Sequence, residues 1–173
     1  KIVDMTPAPM ATRPLAPNAI PITNEIAREL SKLNNGPRII TLRAGNVIGG
    51  GDWSLDRLVP DSVTAVLSGE DIVLRNPDAI RPWQHVLEPL SGYLILAEKI
   101  HLCEDIIYQN SFNFGPNEKS NKSVVELIEE CFIHWKGDYL INENGNKFYE
   151  SNLLQVSIEK SKVLLNWEPK WNF

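Results

Sequence analysis

The sequence is poor in cysteine, with two in 173 residues, Cys103 and Cys131. Neither belongs to a Cys-x-x-Cys pair or sits beside a histidine pattern, which excludes a disulfide framework and a zinc-ligand spacing; both are expected as buried helical thiols. Long apolar runs are missing too. The longest aliphatic stretch is Leu94-Ile95-Leu96-Ala97, against about 20 residues needed to cross a bilayer. No signal-type N-terminus is read, so a soluble, cytoplasmic protein is expected. Positive charge is in deficit: 17 Lys and Arg face 22 Asp and Glu, for a net charge of -5. That balance predicts no general attraction to nucleic acid or to an anionic membrane. What remains is ordinary globular material, 43% hydrophobic and 23% charged, enough to bury a core. There is no internal repeat or low-complexity tract.

The first 21 residues carry Pro7, Pro9, Pro14, Pro17 and Pro21, which block regular structure and predict an extended start. Ile22, Ile26, Leu30 and Leu33 then follow helical spacing, with Thr23 as N-cap and Asn35-Gly36-Pro37 as the stop. Arg38 to Arg43 reads as a buried strand, and the glycine-rich segment Ala44 to Trp53 as a loop. Further on, the pattern predicts a helix over Asp61 to Leu67 stopped by Gly69, a strand over Asp71 to Arg75, and a helix from Pro89 to Cys103. A strand Phe112 to Phe114 and a helix from Ser123 to Trp135 follow, the latter with Val124, Ile128, Phe132 and Trp135 on one face. The chain closes with a strand Leu153 to Val156 and a helix that Ser157 caps, running to Leu165. Such alternation argues for an α/β fold.

Four stretches concentrate arginine, asparagine and glycine: Arg43-Ala44-Gly45-Asn46-Val47-Ile48-Gly49-Gly50-Gly51-Asp52-Trp53, Asp56-Arg57-Leu58-Val59-Pro60-Asp61, Arg75 through Val86, and Glu88-Pro89-Leu90-Ser91-Gly92-Tyr93. Arginine carries a permanent charge and a planar donor fork, and glycine lets backbone N–H groups come close; together they suit a diphosphate. Asn46 follows a strand, where α/β sheets usually place ligands. Bland roles stay open beside these. Asn46 also fits as a turn residue, Arg57 as a solvated charge, Arg81 as the partner of Asp78 or Glu88, and His85 as a structural histidine. Trp83 reads as core, and His101 and His134 sit on helix faces with no role assigned.

In order and wording these stretches resemble CDP-glucose 4,6-dehydratases, and more distantly the dTDP- and GDP-sugar dehydratases and epimerases. The likeness continues through Phe112-Asn113-Phe114-Gly115-Pro116 and Trp167-Glu168-Pro169-Lys170-Trp171. It implies the C-terminal part of an extended short-chain dehydrogenase/reductase, a Rossmann-type α/β fold with a small substrate-binding lobe. Residues 1–42 are then the remnant of the Rossmann portion, residues 43–173 the sugar-nucleotide-binding portion, and the N-terminal dinucleotide-binding half is absent. The resemblance places the Asn46 amide on the ligand phosphates, Arg57 and Leu58 beside the nucleotide, Arg75 near the base and Arg81 on the diphosphate. It puts His85 near the site, and Asn113 and Asn117 fit equally as substrate contacts or as turn residues. It further implies a cytoplasmic, NAD-dependent lyase of deoxysugar and lipopolysaccharide O-antigen biosynthesis, acting on a CDP-sugar and commonly dimeric.

Two family features are missing from the sequence. No Tyr-x-x-x-Lys pair exists: Tyr93, the first tyrosine, is followed at the fourth position by Ala97. No dinucleotide fingerprint opens a helix either. Gly49-Gly50-Gly51-Asp52-Trp53-Ser54 comes near one, but Asp56 and Pro60 interrupt the helix that should start there, and Asp71 begins a strand instead of ending one. No catalytic residue and no metal ligand is therefore assigned. Inside the matched region, Ser157 stands where aspartate is common and Asn166 where glycine is common. The reading is a chain that supplies CDP-sugar recognition, with another nucleotide-sugar dehydratase or epimerase, or a non-catalytic binding module, as the alternatives.

Overall fold

The computed structural model describes residues 29, 39–102, 111–142 and 151–173. The proline-rich start, Cys103 and, except for Glu29, the helix expected over Ile22 to Asn34 lie outside those residues. The described elements are β1 (Leu42–Ala44), β2 (Asn46–Ile48), α1 (Leu58–Ser68), β3 (Ile72–Leu74), β4 (Ile80–His85), α2 (Leu87–Leu102), β5 (Phe112–Phe114), β6 (Asn121–Ser123), α3 (Val124–His134), β7 (Tyr139–Ile141) and α4 (Glu159–Leu165). β1 pairs with β5 in parallel, Arg43 opposite Asn113. β4 is the middle of a three-stranded sheet, with β2 parallel on one side and β6 antiparallel on the other. β3 pairs with β7 in parallel. The mixed α/β class with parallel pairing agrees with the sequence.

Four local differences have physical reasons. The segment Ala44 to Trp53 is not all loop. Val47 and Ile48 are β-branched, so Asn46–Ile48 joins β4 before the glycines begin. β4 was hidden by Pro82, which suits a central strand poorly. Its parallel pairing with β2 starts only at Trp83, opposite Asn46, and the bridge to Leu153 stops at Ile80, so the proline falls in the gap between them. The strand expected over Leu153 to Val156 shrinks to that one bridge. Trp135 is the C-cap of α3, not its last buried position, and is exposed.

The helices start and stop for legible reasons. α1 begins at Leu58, three residues before Asp61, because Pro60 falls in the first turn, where no intrahelical N–H is needed. It ends on Gly69 at φ 70. α3 is opened by a reciprocal capping box: the Glu126 N–H donates to Ser123 Oγ at 3.2 Å, and the Ser123 N–H donates to Glu126 Oε2 at 2.7 Å. α4 has Ile158 as N-cap, not Ser157, whose carbonyl instead accepts from Asn113 Nδ2 at 2.9 Å. Its C-cap Asn166 is left-handed at φ 52, which explains why glycine suits that place and why asparagine is tolerated.

Apolar burial divides into two clusters. One gathers Leu96, Phe112, Phe114, Ile158, Leu165 and Trp167. Phe114 meets Trp167 edge-on at 5.0 Å and Tyr93 at 5.2 Å, each such contact adding about 0.5–1.5 kcal/mol beyond area burial. α2 lies this close because Gly92 has no side chain; a Cβ there would enter the Phe114 ring. The other cluster centres on Ile72, Leu74 and Ile128, with Val124, Val125, Phe132 and Tyr139 packed around them.

Candidate functional site

A cleft of about 880 Å³ opens between the β2–β4 sheet and the second cluster. One wall is Gly45 to Ile48 with Arg81 and Trp83, which alternate onto the same face of β4. The opposite wall is the end of β3, with Leu74, Arg75 and Asn76. The mouth carries Asp52, Asp56, Arg57 and the first turn of α1. No side chain caps that helix N-terminus, so its backbone dipole adds positive character where Arg57 and Leu58 stand.

The structure brings five of the eight residues singled out in the sequence to this cleft, Asn46, Arg57, Leu58, Arg75 and Arg81, while Asn117 does not line it. Arg81 is 6% exposed, and its Nη1 donates to the carbonyls of Ile80 at 2.8 Å and Ser151 at 2.9 Å. Glu88, considered as its partner, accepts on Oε1 the N–H groups of Lys170 and Trp171 at 3.0 and 2.8 Å. Arg57 and Arg75 reach solvent. Arg75 Nη2 lies 3.3 Å from Asp56 Oδ1, and Arg57 Nη1 lies 3.9 Å from Asp52 Oδ2. Hydrogen bonds from Ser54 hold the Asp52 carboxyl below its ordinary range, and the Arg57 charge adds to the effect.

His85 and Asn113 are not among the lining residues. His85 accepts the Leu87 N–H on Nδ1 at 3.2 Å and meets Trp171 edge-on at 4.9 Å. Asn113 sits between β1 and α4, its Nδ2 on the Ser157 carbonyl and its Oδ1 buried with no hydrogen-bond partner. Trp83 is buried and donates through Nε1 to the Lys122 carbonyl at 3.0 Å, which fits its core reading, yet one face also borders the cleft. Sequence reasoning overlooked the acidic half of the mouth. Asp52 and Asp56 stood inside the quoted motifs, four positions apart and just before Arg57, which was the available signal.

The glycine run after β2 is not a dinucleotide fingerprint. After β2 the glycine run passes through Gly51 and Asp56, both at positive φ, to a helix that starts only at Leu58. A dinucleotide fingerprint needs the helix to open on the glycines themselves. Tyr93 packs against Phe114, and burial pushes its hydroxyl up, away from the range a proton-abstracting tyrosine needs. Among the described residues no group of acidic, histidine or cysteine side chains is placed to hold a metal, and no helix is long and apolar enough to cross a membrane.

The mixed α/β fold with parallel pairing is shared with solved nucleotide-sugar epimerases and dehydratases. UDP-glucuronic acid 4-epimerase from Bacillus cereus, in complex with UDP-glucuronic acid and NAD, superposes with a TM-score of 0.72 at 17% identity, over 92% of this chain and 49% of its own. dTDP-glucose 4,6-dehydratase from Bacillus anthracis, in complex with NAD, gives 0.65 at 21% identity, over 100% of this chain and 52% of its own. Among curated proteins, CDP-glucose 4,6-dehydratase of Salmonella typhimurium strain LT2 is 38% identical over 139 residues, 79% of this chain. In sequence the chain is similar to CDP-glucose 4,6-dehydratase, and in fold to nucleotide-sugar dehydratases and epimerases. It spans 38% of the length of that curated relative. No family model matches it.

Proposed function

We propose that the cleft binds the nucleoside diphosphate of a CDP-sugar, and that the chain supplies this recognition to a CDP-glucose 4,6-dehydratase. That enzyme is a lyase, removing water from CDP-D-glucose to give CDP-4-dehydro-6-deoxy-D-glucose. The observation that carries the reading is the meeting of Asn46, Arg57, Leu58, Arg75 and Arg81 in one cleft, beside an uncapped helix N-terminus. A diphosphate is the ligand class that such a set of fixed donors and guanidinium groups recognises. The cytidine base comes from the likeness to the Salmonella enzyme. NAD use, a cytoplasmic setting, a homodimer and a place in deoxysugar synthesis for lipopolysaccharide O-antigen belong to the same proposal, supported by resemblance. No catalytic side chain is assigned to this chain.

Calorimetric titration with CDP-, dTDP- and GDP-glucose tests the reading. CDP-glucose is expected to bind best, and Arg81→Ala to abolish binding while Arg43→Ala, outside the cleft, leaves it unchanged. Equal affinity for the three sugars removes the CDP assignment. Equal behaviour of the two variants removes the site.

A further inference from the structure

Both solvent-facing arginines of the cleft are already paired with carboxylates from the loop at its mouth. Asp56 holds Arg75 across 19 positions of sequence at 3.3 Å, and Asp52 approaches Arg57 at 3.9 Å. Asp52 is also tied to its own loop, its Oδ1 accepting the Ser54 N–H at 3.0 Å. Asp56 therefore makes the shorter and more direct contact with an arginine of the proposed site. Its backbone is specialised as well: at φ 60 it is one of two described non-glycine residues in the left-handed region, the other being the helix cap Asn166.

We infer that Asp56 sets nucleotide affinity by occupying the Arg75 guanidinium until a diphosphate displaces it. The inference rests on the reading of the cleft as a diphosphate site. The chemistry of the exchange is simple. A guanidinium offers one planar fork, and a carboxylate and a phosphate compete for it as anions of matching geometry. The side chains of Arg75 and Asp56 are 69% and 71% exposed, so water screens the pair and it is weak enough to be exchanged. A diphosphate, with more charge and more acceptor oxygens than one carboxylate, outcompetes it for the Arg75 guanidinium where a lone weak anion does not. Asp56 thereby raises the threshold for entry and keeps Arg75 positioned at the mouth before the ligand arrives.

The test is a double-mutant cycle with CDP as the probe, on the full chain, read by calorimetry. Asparagine accepts the left-handed backbone at least as well as aspartate, so Asp56→Asn removes the charge without strain. Asp56→Gly serves as a second variant that also tolerates the geometry. Both are expected to bind CDP about fivefold tighter than the parent, the span of one exposed ion pair released from Arg75. Arg75→Ala is expected to bind about tenfold more weakly, and adding Asp56→Asn to it to change affinity by less than about twofold. Unchanged or weaker binding by both Asp56 variants overturns the inference, as does an equal gain in the Arg75→Ala background. If the parent chain binds no CDP, the site reading fails and takes the inference with it; if the parent binds and only the cycle fails, the site reading stands.

Discussion

The aromatic cluster around Phe114 and the cleft beside Arg81 are built from opposite materials. Around Phe114, rings meet at 5.0 and 5.2 Å, a glycine is placed so that a helix can approach, and Trp167 Nε1 finds Ser91 Oγ at 2.9 Å. Around Arg81, three arginines and three aspartates line one opening, and two of the ion pairs face water. Exposed pairs of this kind add about 0–1 kcal/mol each, so stability does not explain the concentration of charge. The first region holds the fold together. The second is the site proposed for recognition.

That division is open to attack from the largest effect downward. Phe114→Ala removes the shared partner of Tyr93 and Trp167 and is expected to cost about 3–5 kcal/mol, read by chemical denaturation; a cost under about 1 kcal/mol would show that the cluster is not the main support. Arg57→Ala is the converse. It should weaken CDP binding about tenfold while leaving the melting temperature unchanged, and a variant that melts early without losing affinity would make Arg57 structural.

Ser123→Ala, which breaks the capping box of α3 at a residue that does not itself line the cleft, is expected to cost about 1 kcal/mol with CDP affinity unchanged. The same box has a pH signature. The Ser123 N–H, then Lys122, hold the Glu126 carboxyl below its ordinary value of 4.5. A group with a depressed folded-state pKa contributes stability above its unfolded value and loses it as pH falls through the lowered one. The stability gap between the parent and Glu126→Gln should therefore be present at neutral pH and close on acidification below about pH 4.3; a gap that widens in acid reverses the assignment. The smallest effect is at Asn166, where glycine in place of asparagine at φ 52 is expected to stabilise by a few tenths of a kcal/mol, up to about 1.

Much of this was legible beforehand, and what was not had local causes. α1, α2, α3, β3 and β5 follow from apolar spacing and from Gly69 and Ser123 at their ends, since these elements bury one regular face. β4 was hidden because Pro82 breaks the pattern that identifies a central strand, and only the pairing register shows the gap that accommodates it. β6 and β7 have three residues each, too few for an alternation to declare itself. At the site, the arginines and Asn46 could be chosen from their chemistry and wording. The carboxylates stood in the same motifs, but their pairing with the arginines was not legible, because it joins Asp56 to a residue 19 positions away. Asn166, odd in the sequence, became intelligible once its backbone angle was known.

The central claim, that the cleft grips a diphosphate, is tested most directly by titrating CDP and cytidine into the parent chain and into Arg81→Ala. Saturable CDP binding by the parent, much weaker cytidine binding, and loss of CDP binding in the variant are predicted. CDP and cytidine binding alike, or CDP affinity surviving the loss of Arg81, would contradict it.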